Sequence, residues 1–458
     1  MKIRILFIIA TDTPKKMLHH YPPLGVAYLI STLRNRFSEH DIDFKLVSSD
    51  IEKVIIEFKP DIVCISSVTA TYNFAKEYAK IAKKYSLPVI VGGYHISTMP
   101  NSLTEDMDVG VIGEGETTIC ELIDLFMQTA SFDKGELEKI NGIIYRDDSG
   151  NIKMTKKREL INPLDKIPLP ARDVLEIGDD TYMFTSRGCP YNCVFCSSSR
   201  FWNGIRYFSA EYVFNEIKYL IETYKIRHIH FYDDLFIANK ERIRTIFDLL
   251  EKNGYWGKVT FSCQARANLI DEEMAQLLKK MGFKAVGVGF ETGCEETLRY
   301  LKGESVTIGD NKRAIELIKK YGMVAQGSFI IGAPKESRED ILKTLEFIKK
   351  SKLDEIFMCL LTPLPGTPLW EYAESRGLVS SDMDWSKLKI KFTDDMENSI
   401  ILSETLSREE LTQLFKMFLN EERKRKILYI IKSGLCHPLR APRFLKLEML
   451  EFLKNKDN

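Results

Sequence analysis

The sequence predicts an α/β protein: an N-terminal doubly wound, Rossmann-like parallel sheet, then a partial (β/α)6 barrel, then a helical C-terminal segment. Three observations carry this. Short continuous apolar runs alternate with amphipathic helical patterns over residues 1–130, and continuous apolar strands belong to parallel sheets covered on both faces. The alternation resumes over residues 181–375 as six strand–helix units, which suits a partial barrel with function at the C-terminal strand ends. A chain of 458 residues is also too long for one ordinary core.

In the first domain, residues 1–130, strands are expected at Ile3–Ile9, Phe44–Ser48, Asp61–Ser66, Pro88–Val91 and Asp108–Ile112. Helices fit Leu24–Arg36, Ile51–Phe58, Tyr72–Tyr85 and Thr117–Met127. The first apolar run resembles a signal peptide but is short and ends in Thr11-Asp12-Thr13-Pro14, so a buried strand is the better reading. Doubly wound sheets bind ligands beyond the carboxyl ends of their strands. The loops there are Thr11-Asp12-Thr13, Ser66-Ser67-Val68-Thr69, Gly92-Gly93-Tyr94-His95 and Gly113-Glu114-Gly115-Glu116. Glycines and small hydroxyls let a flat, bulky ligand approach backbone amides. Any one such loop is equally plain turn chemistry; their recurrence at successive strand ends favours one shared binding edge.

Residues 131–180 read as a linker. It holds a small hairpin, Gly142–Arg146 and Ile152–Thr155, and the stiff run Ile167-Pro168-Leu169-Pro170. Barrel strands are expected at Tyr182–Arg187, His228–Tyr232, Lys258–Cys263, Ala285–Phe290, Ala325–Ile331 and Glu355–Leu361. Helices between them fit Ala210–Tyr224, Lys240–Asn253, Asp271–Met281, Asp310–Tyr321 and Ser337–Ser351.

Directly after the first barrel strand stands Cys189-Pro190-Tyr191-Asn192-Cys193-Val194-Phe195-Cys196. Three thiols at C-x3-C-x2-C spacing hold soft metals or iron–sulfur clusters. A structural zinc knuckle or three unrelated core cysteines are the alternatives; zinc wants a fourth Cys or His at close spacing, and none follows. Three ligands would leave one iron of a [4Fe–4S] cluster open to a small chelating molecule. Later strand ends carry polar or small residues. They are Asp233 and Asp234, then Gln264 and Arg266, then Glu291, then Gly327 to Pro334 with Gly332 between. Arginine offers a forked donor suited to a carboxylate. Glutamate can accept from ribose hydroxyls, and glycines let a base approach a strand edge. Each alone is as readily a solvated strand-end residue.

The Cys189–Cys196 stretch, with Phe195 before the last cysteine, resembles the signature of the radical S-adenosylmethionine (SAM) superfamily. Pro22-Pro23-Leu24-Gly25, Gly92-Gly93 with His95, and Gly113-Glu114-Gly115-Glu116 resemble the cobalamin-binding domain that one large branch of that superfamily carries. The resemblance spans roughly residues 1–375. It implies that Cys189, Cys193 and Cys196 hold a [4Fe–4S] cluster. It implies that Asp233 meets the SAM ammonium, Arg266 its carboxylate and Glu291 its ribose, with Gln264, Gly327, Gly332 and Pro334 completing that site. It implies a cobalamin held at Ser66, Ser67, Thr69, Gly92, Gly93, Gly113 and Gly115. The D-x-H-x-x-G motif that supplies a histidine to cobalt elsewhere is absent, and neither His19 nor His20 has the required neighbours. Many members of this branch lack it too, so cobalt without a protein histidine is expected. No side chain is assigned a catalytic role, since the cofactors carry the hard chemistry.

Composition bounds the rest. Lys+Arg and Asp+Glu both number 65, so nothing global points to nucleic acid. Nine cysteines are an odd number, outside any disulfide framework, which implies a reducing, cytoplasmic compartment. In residues 376–458 a helix is expected over Ser407–Phe418 with Ser407 as its cap, followed by a basic stretch from Arg423-Lys424-Arg425-Lys426 to Arg440, Arg443 and Lys446. That stretch reads as a helix packed on the barrel, with a peripheral membrane-surface helix as the alternative.

The resemblance implies methylation of an unreactive carbon of a small molecule or lipid. Cyclisation, rearrangement or radical coupling with a vestigial cobalamin domain is the enzymatic alternative. A cobalamin or redox sensor is the non-enzymatic one. The resemblance also implies an electron donor such as flavodoxin or ferredoxin.

Overall fold

Apolar runs with no polar alternation become the strands of a buried parallel sheet. The computed structural model describes residues 2–11, 22–38, 41–388 and 398–436. Its first sheet contains β1 (Ile3–Ile9), β2 (Ile42–Val47), β3 (Ile62–Ser66), β4 (Val89–Gly92), β5 (Val109–Val111), β6 (Ile143–Arg146) and β7 (Ile152–Met154). The order is β2-β1-β3-β4-β5-β6-β7. The first five are parallel, as in β1 on β3 with Ile5 opposite Ile62. β6 and β7 add antiparallel, so the small hairpin of the linker extends this sheet. From β1 the chain goes first to β2 on one side and then to β3 on the other. The switch point between β1 and β3 is where such sheets bind ligands.

The chain forms two compact units. The first comprises residues 1–264, 362–389 and 397–400, and the second comprises residues 265–361, 390–396 and 401–458.

The first unit also holds β8 (Asp180–Met183), β9 (Ser186–Gly188), β10 (Ile205–Tyr207), β11 (His228–Phe231) and β12 (Thr260–Ala265). β8, β11 and β12 run parallel, with His228 opposite both Asp180 and Thr260. The single strand expected at Tyr182–Arg187 is in fact two. β8 ends at Met183, and β9 departs to pair antiparallel with β10. The break has a cause: the buried Asp233 carboxylate accepts from the backbone N–H groups of Thr185 (2.6 Å) and Ser186 (3.0 Å), diverting them from the ladder. Gly188 closes the turn at φ 89°. A Cβ there would lie 2.0 Å from the Gly204 carbonyl oxygen, so only glycine fits.

The second unit holds β13 (Phe283–Glu291), β14 (Val324–Ile331) and β15 (Glu355–Leu360), all parallel. Helices Ile308–Lys320 and Arg338–Lys350 begin with capping boxes, Thr307 with Asp310 and Ser337 with Asp340. The C-terminal helix runs over Arg408–Cys436, with Ser407 and Glu410 bonding reciprocally at its start. It packs on β15. Arg425, from the basic stretch, turns inward and donates to the carbonyls of Leu353 and Ile348. Arg440, Arg443 and Lys446 lie outside the described residues. Among the described residues no helix is long and apolar enough to cross a membrane.

One buried ion pair fixes the linker in the first unit. Arg172 and Glu216 are both fully buried and meet at 2.5 Å, and Arg172 also donates to Thr181. Removing one partner of such a pair costs about 3–5 kcal/mol, because the other charge stays buried. Arg172→Met should lose that much in a urea melt, and adding Glu216→Leu should restore most of it. A single variant as stable as the wild type would contradict this reading.

Candidate functional site

Three of the strand-end loops singled out in the sequence meet at the switch point. Ser66, Gly92, Gly93, Gly113, Glu114, Gly115 and Glu116 line a cavity of about 440 Å³ with Phe7 and Gly25. Gly25 opens the Leu24–Arg36 helix, and a Cβ there would meet nothing within 4 Å among the described residues. Gly93 has a different task. Its φ is 105°, and a Cβ would stand 2.4 Å from the Ser67 carbonyl oxygen, so this glycine lets β3 and β4 end side by side. Ser67 and Thr69 are buried, and their hydroxyls have no hydrogen-bond partner among the described residues. Buried hydroxyls are normally satisfied, so a polar ligand reaching this edge fits the donor set. Thr11 is described; Asp12, Thr13, His19 and His20 lie outside the described residues.

His95 faces away from this cavity. Its ring stacks on Tyr72 at 3.8 Å, meets Trp385 edge-on at 4.4 Å, and has Nε2 3.0 Å from Ser102 Oγ. Burial, aided by Lys76, lowers its pKa to about 3. It is a neutral core histidine.

The same cavity has a second wall. Ser186 and Arg187 precede the three cysteines, Ser197 and Ser198 follow them, and all four line it with Phe184, Phe201, Trp202 and Asp234. The cysteine loop is held through its backbone. Arg200 donates to the carbonyls of Cys193 (3.1 Å) and Cys196 (2.7 Å), and Cys196 N–H donates to Cys193 O. Cys193 is buried, Cys189 and Cys196 half-buried, and none is in a disulfide. Burial first, then Asp234 and the neighbouring thiols, push Cys196 up to about 11. Iron supplies the positive charge that would reverse this. Among the described residues no three His, Cys, Asp or Glu are disposed around a single metal ion. The donor set fits by its chemistry: thiolates are the soft ligands that iron–sulfur clusters take.

The adjacent carboxylates Asp233 and Asp234 have different roles. Asp233 is buried and spent on Thr185 and Ser186, including the Thr185 hydroxyl. Asp234 reaches the cavity wall and accepts from Ser198 Oγ at 2.5 Å. Burial raises the pKa of both. Gln264 is exposed near the end of β12.

Between the two walls lies a set of charges that sequence reasoning missed. Glu114 and Glu116, quoted there only as part of the Gly113–Glu116 loop, bind Arg187 at 2.6 and 2.5 Å. Arg206 adds a contact to Glu114 at 3.0 Å, and Ile161 N–H another at 2.7 Å. Burial alone would raise Glu114, but Arg206 and Arg187 bring it below the ordinary carboxylate range. The available signal was an arginine just before the cysteine loop and two glutamates with no stated partner.

The remaining residues belong to the second unit. Arg266 is buried and donates to Lys302 O (3.2 Å) and Ser305 Oγ (2.9 Å). Glu291 ends β13 at φ 65° and pairs with Lys302 at 3.1 Å. Gly327 is a packing glycine, since a Cβ would crowd Phe290, Phe329 and Leu353. Beyond Gly332 and Pro334, Glu336 accepts from the N–H groups of Gly332 (2.8 Å) and Ala333 (3.2 Å). Burial pushes it up to about 7. It too was missed in the sequence.

A doubly wound sheet whose switch-point cavity is walled by the residues flanking a three-cysteine loop defines a cofactor-binding α/β protein. The B12 binding domain family matches residues 15–123, and the Radical SAM superfamily matches residues 183–348. An uncharacterized methyltransferase of Pyrococcus horikoshii is 37% identical, over 80% of this chain and 81% of its own. The anaerobic magnesium-protoporphyrin IX monomethyl ester cyclase of Rubrivivax gelatinosus is 28% identical over 81% of this chain and 70% of its own. Among solved structures, the radical SAM methyltransferase TsrM of Kitasatospora setae, with cobalamin and a [4Fe-4S] cluster bound, superposes with a TM-score of 0.70 at 18% identity, over 91% of each chain. That likeness bears out the α/β fold class. The chain belongs to the radical SAM superfamily, in the branch that carries a cobalamin-binding domain. It is a methyltransferase-like enzyme of that branch, and its cofactors are a [4Fe–4S] cluster, SAM and cobalamin.

The assignment of His95 to the core has a pH signature. With a folded pKa of about 3 against 6.5 unfolded, the unfolded chain takes up the proton as pH falls through 6.5, and stability is lost in that window. Between pH 6.5 and 5 this group should cost about 2 kcal/mol. In urea melts His95→Leu should be less stable at pH 7 but lose less on acidification. An equal loss in both proteins would count against a buried, neutral His95.

Proposed function

We propose that this enzyme transfers a methyl group to an unreactive carbon of a small molecule, at the cavity shared by the sheet's switch point and the cysteine loop. The single observation that carries the reading is the composition of that cavity: Ser66, Gly92 and Gly113 on one side, Ser186, Arg187, Ser197 and Ser198 on the other. Two cofactors that must act on one substrate need adjoining sites. The methyltransferase from Pyrococcus horikoshii supports the reaction type.

When bound, the cluster supplies an electron, SAM the radical-forming and methyl groups, and cobalamin a methyl carrier. The chain's own residues do the positioning. Cys189, Cys193 and Cys196 hold the cluster, with Arg200 bracing the last two. Asp233 shapes the entry to that loop, and Asp234 presents a carboxylate to the cavity. Arg266, Glu291, Gln264, Gly327, Gly332 and Pro334 are assigned to SAM. Ser66, Ser67, Thr69, Gly92, Gly93, Gly113 and Gly115 are assigned to the cobalamin edge, with no histidine on cobalt. Residues 1–130 then form the cobalamin domain, 131–180 a linker, 181–375 the SAM domain and 376–458 a C-terminal segment. Phe184, Phe201 and Trp202 make the cavity aromatic, which suits a flat or apolar substrate and excludes water. An electron donor of the flavodoxin or ferredoxin class completes the cycle.

The cyclase from Rubrivivax gelatinosus favours a second reading, ring closure without methyl transfer. Methyl-deuterated SAM separates the two: a product heavier by the labelled methyl supports transfer, and an unlabelled product supports cyclisation.

Two variants test the cofactor assignments. Cys189→Ala, reconstituted with iron and sulfide, should lose the visible cluster absorbance and SAM cleavage. Retention of about four irons per chain would contradict the ligand set. Gly25→Leu should melt no lower than the wild type, since it removes a helical glycine at a position where a Cβ meets nothing within 4 Å among the described residues, yet it should abolish hydroxocobalamin binding. Unchanged binding would place cobalamin elsewhere.

A further inference from the structure

Arg187 occupies a singular place. It immediately precedes Gly188 and Cys189, and its side chain is nine-tenths buried. One end of its guanidinium meets Glu114 and the other Glu116, on the loop whose glycines line the cavity. Its Cζ also lies 5.6 Å from the centre of the Tyr28 ring and 5.4 Å from that of the Trp202 ring. Tyr28 is on the helix opened by Gly25, and Trp202 ends the Ser198–Trp202 helix just after Cys196. One side chain therefore touches the Gly113–Glu116 loop, the helix beside it and the helix that follows the cysteines. The turn beside it has no slack, because Gly188 is pressed on the Gly204 carbonyl.

We propose that Arg187, clamped by Glu114 and Glu116, is a positioning residue that couples the two cofactor sites, so that a loaded cluster loop favours cobalamin binding and the reverse. The inference rests on the proposed placement of cobalamin in this cavity. Its physical basis is fixed-length, forked contact. A bidentate arginine between two carboxylates allows little sliding, so a shift of the cysteine loop is passed to Gly113 and Gly115. Coupling of this kind is reciprocal, and typical values correspond to a factor of about 5 to 150 in affinity.

The test measures hydroxocobalamin affinity by visible absorbance in cluster-loaded protein and in protein stripped of iron by a chelator. The wild type should bind at least about fivefold more tightly when the cluster is present. Arg187→Met should bring that ratio near one. Because Arg187→Met leaves Glu116 buried without its charge partner, Arg187→Met/Glu116→Gln serves as the better-folded version and should show the same loss. Arg187→Lys keeps the charge without the fork and should show an intermediate ratio. A variant that weakens cobalamin equally in both forms, with the ratio kept, would make Arg187 a structural residue only and overturn the proposal. So would a wild-type ratio of one. If the wild type binds no hydroxocobalamin in either form, the cobalamin placement itself fails, and the coupling with it.

Discussion

Two buried carboxylates facing two arginines hold the site together. Glu114 and Glu116 come from the loop after β5, Arg187 and Arg206 from the β9–β10 pair, and the four formal charges cancel. Burying such charges is costly unless each is paired and hydrogen-bonded. Here Glu114 has three donors, and Arg187 has an acceptor at each end of its fork. The cysteine loop cannot move from the switch-point cavity without leaving a charge stranded. An apolar contact of similar size would tolerate a slide; this network does not.

The cavity follows from that constraint. The switch between β1 and β3 opens a crevice at the sheet edge, as the topology of doubly wound sheets requires. Gly93 lets β3 and β4 end together, and Gly25 leaves the first helix bare where it faces the crevice. The other wall is brought by β9, which leaves the line of β8 because Asp233 captures the amides of Thr185 and Ser186. One buried aspartate thus decides where three thiols emerge. Asp234, its neighbour in the turn after β11, meets the cavity instead.

Much of the fold is legible in the sequence because hydrophobic periodicity records burial directly. Ile3–Ile9, Leu24–Arg36, Ile51–Phe58 and Ala210–Tyr224 are readable to the residue. What periodicity cannot record is where a strand breaks for a side chain distant in sequence, and the Tyr182–Arg187 run conceals such a break. The glycines and small hydroxyls of the switch-point loops are legible as a set, since turn chemistry at successive strand ends points to one edge. The glutamates among them are not. Glu114 announces itself through distant partners such as Arg187, 73 residues later, and nothing local marks it as buried. Asp233 shows the same limit: the position of a carboxylate is visible in sequence, but whether it faces a ligand or the backbone is settled by packing.

Cobalamin and the cluster are proposed to occupy adjoining sites on one cavity. The most direct measurement is the microwave power saturation of the cob(II)alamin electron paramagnetic resonance signal, with the cluster reduced and in cluster-free protein. A nearby paramagnetic cluster shortens the relaxation time of the cobalt spin, so the account predicts a signal markedly harder to saturate when the reduced cluster is present. Identical saturation curves in the two samples would place the cofactors far apart and contradict it.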